Sequence, residues 1–126
     1  MVSPLYRKLA QLINARTRCL ETGNAFKVQH EAEILRLVRE HMPSGSGIDK
    51  GTTIDLDAST DEKIVFRTEF HHMDEHGYYD GWTEHTITVC ASLVFGLDLK
   101  IDGRDRNEIK EYLHEVFSHA LSAEIN

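Results

Sequence analysis

The chain has 126 residues, 21 acidic against 14 basic side chains, and a formal net charge of −7. That length suits one domain with one hydrophobic core, and the acidity disfavours a nonspecific grip on a phosphate backbone, which needs clustered cations. Cys19 and Cys90 are too few and too far apart in sequence for a disulfide framework or a metal knuckle. The N-terminus breaks its apolar pattern with Arg7 and Lys8, unlike a signal peptide or membrane span. The expectation is a cytoplasmic protein with no membrane partner and no direct DNA binding.

Ser3-Pro4 reads as a helix start, because the hydroxyl can accept a free backbone N–H and proline has none to lose. Leu5, Leu9, Leu12, Ile13 and Leu20 then recur at helical spacing. Gly23 suits a C-cap and Asn24 a following N-cap. A second helix is expected to bury Val28, Ala32, Ile34, Leu35, Leu37 and Val38, so residues 1–42 read as a helical hairpin. The stretch from Pro43 to Lys50, with Ser44, Gly45, Ser46 and Gly47, reads as a linker; it lacks the strand-loop-helix setting of a phosphate-binding loop.

The period changes from helical to alternating after residue 51. Ile54 and Leu56 alternate with Asp55 and Asp57; Ile64, Phe66 and Phe70 alternate with Arg67, Glu69 and His71. A polar, aromatic loop is expected from Met73 to Gly81. A third strand follows from Trp82 to Phe95, with Thr86 and Thr88 facing outward. Leu97, Leu99 and Ile101 alternate with Asp98, Lys100 and Asp102 in a fourth. The expected fold is α+β: an antiparallel four-stranded meander over residues 52–102, wet on one face. An amphipathic helix over 105–123 covers the other, carrying Ile109, Tyr112, Leu113, Val116, Phe117, Ala120 and Leu121, and Asp105 with Glu108 reads as its capping box.

Four groups of residues could carry function. Tyr78, Tyr79 and Trp82 concentrate rings on a tight turn, the residue types that dominate binding hot spots and also stack on nucleobases; the competing reading is a brace for the loop. Arg104 and Arg106 lead into the last helix, where guanidinium groups and free N–H groups could receive phosphate; the competing reading is salt bridging to Asp102, Asp105 or Glu108. Asp55, Asp57, Glu69, Asp98 and Asp102 should make the exposed sheet face acidic, able to meet a basic protein surface. Among the histidines, His71, His76 and His85 are the metal candidates, but neighbours such as His71 and His72 point to opposite faces of a strand. No metal or other cofactor is assigned, and no nucleophilic triad with a plausible order emerges.

The strings PSGSGIDKGTTID, VFRTEFHHMDEHGYYDGWTEHTITV and GRDRNEIKEYLHEVF, in that order over residues 43–117, resemble a family of small accessory proteins of tailed phages and prophages. The resemblance implies an accessory gene of a mobile element, acting in the cytoplasm of an infected or lysogenic bacterial host. Small acidic phage proteins of this kind suggest an inhibitor of a bacterial defence system, anti-CRISPR-like, that occupies a basic surface of a host defence protein. The alternatives are a sponge for a cyclic or other nucleotide signal, with Arg104 and Arg106 on phosphate and the rings on the base, and a metal-dependent enzyme built on the histidines. Binding is expected rather than catalysis, and a homodimer is compatible with every reading.

Overall fold

The computed structural model describes residues 3–23, 25–45, 47–92 and 96–122. Helix α1 spans Pro4–Thr22, α2 Lys27–His41 and α3 Asn107–Leu121; strands β1 Ile48–Ile54, β2 Lys63–Met73, β3 Tyr79–Ser92 and β4 Gly96–Asp102 form one antiparallel sheet in the order β1-β2-β3-β4. This is the α+β meander that the change of period implies. The caps of α1 are also as expected. The Ser3 hydroxyl accepts the N–H of Tyr6 at 3.2 Å, and Gly23 closes the helix at φ 70°. The capping role of Asn24, the third strand at residues 93–95 and the end of the last helix at Ala123 lie outside the described residues.

Register decides which face each side chain takes. Phe66 pairs with Ile87 and Ile64 with Val89, all fully buried, and Leu99 and Ile101 of β4 continue the row. Leu5, Leu9, Ile13, Ile34, Leu37, Leu113, Phe117 and Leu121 from the three helices complete this one core. The Phe66 and Phe117 rings stand 6.2 Å apart inside it. At roughly 1.5–3 kcal/mol for each large side chain fully buried, docking the helices on this face dominates the stability of the fold. The other face of the sheet carries no helix among the described residues and is open except at Val65, which is 7% exposed.

Several expectations need correction. Strand β1 begins at Ile48, inside the stretch read as linker, and ends at Ile54 after a register shift between Asp49 and Thr53, with Gly51 at φ 77°. Asp55 and Asp57 therefore lie beyond the strand. Asp57 turns to the helix side, where its carboxylate meets Arg16 at 3.3 Å. Helix α2 buries a narrower stripe than expected, Ile34, Leu37 and Val38, and leaves Val28 and Leu35 exposed. The last helix begins at Asn107 with Arg106 at its cap and no side-chain capping bond. Asp105 does not form the expected capping box because its carboxylate is engaged elsewhere, as described below.

Candidate functional site

The β2–β3 hairpin is tighter than the loop expected from Met73 to Gly81. The Asp74 carboxylate accepts the N–H groups of His76 and Tyr78, both at 2.9 Å, and the backbone closes with Asp74 N–H on the Tyr78 carbonyl at 2.8 Å. Aspartate is suited to this self-capped turn, and Gly77 supplies the positive φ of 81° that it needs. Strand pairing thus runs to Met73 opposite Tyr79.

One irregularity sets the side-chain directions at this end. Between the pairs His71–Trp82 and Met73–Tyr79, β2 advances two residues and β3 three. The extra residue is taken up around Gly81, at φ 91°. Such a bulge reverses the alternation of the strand, so Trp82 and Tyr79 both come to the open face. The Tyr79 ring lies 5.5 Å from that of His71. Met73 is 69% exposed, Tyr78 72%, Tyr79 60% and Trp82 51%. All four side chains are therefore at least half accessible to solvent.

The hairpin that carries them is acidic, although the β4–α3 loop brings the exposed Arg104 and Arg106 to the same end of the sheet, either side of Asp105. No lysine or arginine occurs between Arg67 and Lys100, whereas Glu69, Asp74, Glu75, Asp80, Glu84 and Asp98 do. Arg67 itself is clamped between Asp55 and Glu84, at 3.0 Å from each. Its guanidinium holds the Asp55 carboxyl below the usual carboxylate range, helped by the N–H of Ala58. Elsewhere Lys63 adds one cation to the Arg67 and Lys100 expected on the open face. Asp98 and Asp102 alternate with Lys100, and the exposed Lys63 points the same way, opposite Cys90. The carboxylates Asp74, Glu75 and Asp80 lie in the β2–β3 hairpin itself.

On the covered face, the same end of the sheet holds a buried polar network. Thr83 donates to Asp105 Oδ2 at 2.7 Å, and His85 Nε2 lies 3.2 Å from the same oxygen. His72 Nε2 lies 2.9 Å from the Thr83 hydroxyl and 3.2 Å from Asp105 Oδ2. Burial pushes the Asp105 carboxyl up, but the Thr83 hydroxyl, the Arg106 N–H, His85 and the nearby His72 outweigh it and hold the group below its ordinary range. His85 Nδ1 has no partner. It faces Gly103, where an added Cβ would come within 2.3 Å of it. A proton on Nε2 faces Asp105, whereas one on Nδ1 would meet no acceptor among the described residues. The network fastens the β4–α3 connection to the sheet.

The three metal candidates are dispersed. His71 is on the open face beside Glu69 and Tyr79, His76 is exposed at the turn, and His85 is fully buried on the opposite face. Among the described residues no group of three or more His, Cys, Asp or Glu side chains is arranged to hold a metal ion. The Thr83 hydroxyl fills the space between His72, His85 and Asp105.

Arg104 and Arg106 are exposed, and neither guanidinium forms an ion pair among the described residues, so the expected salt bridges to Asp102, Asp105 or Glu108 are not made. Their loop reaches the covered face through Gly103 and Asp105, whereas Trp82 and Tyr79 occupy the open one. Ser44 and Gly45 lie elsewhere again, in a groove of about 800 Å³ between α2 and α3. The parts of a nucleotide pocket are thus distributed and do not line one described cavity.

Comparison with family models, with curated proteins and with solved structures gives no match. Among the described residues no helix is long and apolar enough to cross a membrane.

Sequence reasoning missed two features. Arg16, 8% exposed, bonds Glu31 at 2.8 Å as well as Asp57 and the Leu56 carbonyl, tying α1 to α2 and to the β1–β2 connection. Its position three residues after Ile13, in line with the apolar stripe, was the available signal. The Thr83–His85–Asp105 network had none, because Asp105 lies 22 residues from Thr83 and 20 from His85 and only the fold joins them.

Proposed function

We propose that this chain is a phage-type accessory protein that inhibits a bacterial defence system by occupying a basic surface of a host protein. The acidic, ring-bearing end of its open sheet is the contact. The observation that supports this most directly is the exposure of Met73, Tyr78, Tyr79 and Trp82 on a turn that Asp74 already holds in shape. Stiff aromatic side chains bury large area on binding at low entropic cost, and a pre-ordered turn lowers that cost further. The absence of lysine and arginine from residue 68 to residue 99 gives the β2–β3 hairpin a negative field of its own. Such a field speeds encounter with a cationic groove, for example the nucleic-acid channel of a CRISPR effector, and repels phosphate. The resemblance to phage and prophage proteins supplies the biological setting.

The test uses host lysate and phage plating together. The wild-type chain should retain a host protein at low salt, release it at high salt, and raise plating on a defended host. The Tyr78→Ala/Tyr79→Ala/Trp82→Ala variant should lose at least a hundredfold in affinity, on the scale of hot-spot removal. Equal retention and equal plating by the two proteins would count against the reading.

A further inference from the structure

The two edges of the sheet differ. At β1 the register shift between Asp49 and Thr53 and the positive φ of Gly51 break the strand, and Thr52 bonds back to the Pro43 carbonyl at 2.9 Å. Bulges and returning chain are the usual means by which an edge is kept from pairing. At β4 the register is unbroken, and the positive φ of 81° at Gly96 lies at its first residue and not inside the strand. Residues Gly96 to Asp102 pair with β3 one for one without a shift, and no described strand lies beyond them. On the covered side Leu97, Leu99 and Ile101 are only half-buried. A groove of about 500 Å³ runs along this edge between Leu99, Ile101 and the Lys110, Glu111 and His114 side of α3.

We propose that β4 is the dimer interface of this protein, pairing antiparallel with β4 of a second copy about a two-fold axis through Leu99. The sequence of the strand selects that occupant and that register. With Leu99 opposite its own mate, Leu97 stands opposite the partner copy's Ile101 and the apolar row continues unbroken across the axis. On the open face Asp98 then stands opposite the second copy's Lys100, and Lys100 opposite its Asp98, so the interface contains two complementary charge pairs. Cross-strand pairs of opposite charge stabilise an antiparallel ladder and like pairs destabilise it. Shifting the axis by one residue, to Lys100, sets lysine against lysine and Asp98 against Asp102. The charges therefore permit one register and oppose the next. Pairing yields a continuous eight-stranded sheet and satisfies the outward backbone groups of both edges. It leaves the open faces and both ring-bearing turns uncovered, giving one particle two contact ends. The dimer does not depend on the identity of the host partner.

Sedimentation of the full chain across a concentration series tests the pairing. The wild type should sediment at twice its chain mass of 14.4 kDa. Lys100→Asp, at an exposed position, should shift the equilibrium to monomer by tenfold or more, with unchanged circular dichroism. The exchange Asp98→Lys/Lys100→Asp, which recreates both opposite-charge pairs, should restore the dimer. A wild type that stays monomeric at the highest concentration overturns the proposal. So does a dimer that Lys100→Asp leaves intact, or one that the exchange fails to restore.

Discussion

Replacing Asp105 by alanine should destabilise the protein by about 3 kcal/mol, because a hydrogen bond to a buried charged group contributes roughly 1.5–3 kcal/mol and this carboxylate accepts several. Its side chain is 6% exposed, and the fully buried His85 has no solvent to turn to when it is lost. The measurement is the denaturant midpoint, and it carries a pH signature. The folded Asp105 carboxyl lies below its ordinary value of 3.8. A depressed carboxyl contributes stability that is present above the unfolded value and lost as pH falls through the folded one. Wild type should thus lose more stability than Asp105→Asn when the pH is lowered from neutral to below about 4. Equal acid limbs would mean that the carboxylate is not charged in the folded network.

Phe117→Ala should cost about 3–5 kcal/mol, the range for deleting a large aromatic from a packed core. Phe117 is fully buried, with its ring 6.2 Å from that of Phe66, on the sheet face that the helices cover. Trp82→Ala should behave differently. Its side chain is 51% exposed on the open face, and a substitution there is expected to change stability by less than about 1 kcal/mol. The two thermal or denaturant transitions, compared side by side, separate a ring that recognises from one that braces. A Trp82 variant as unstable as the Phe117 variant would make the ring part of the fold, and the contact surface would lose its anchor.

The layout of the fold was legible because two periods are written plainly in the chain. Leu113, Phe117 and Leu121 sit at helical spacing and all are buried; Ile64, Phe66, Leu97, Leu99 and Ile101 alternate and all face the helices. What periodicity could not give was the effect of single irregularities. The extra residue at Gly81 turns Tyr79 to the same side as Trp82, and the shift after Asp49 ends β1 before Asp55. Each comes from a local positive φ that a window average smooths away. Charge proved harder to place than apolarity. Asp57 was expected on the open face but is drawn to Arg16, and Asp105 was expected as a cap but is drawn under the helix by Thr83 and His85. In both cases a long-range partner outcompeted the local role, and nothing in the neighbouring sequence signals such a partner.

Trp82 is the only tryptophan of the chain, so its fluorescence in the free protein tests directly whether an exposed ring stands in a negative field. Emission should lie near that of indole in water, and quenching by caesium, taken relative to its quenching of free indole, should exceed quenching by iodide on the same relative scale at equal, low ionic strength. A blue-shifted emission that neither ion quenches, or stronger quenching by iodide, would contradict the account.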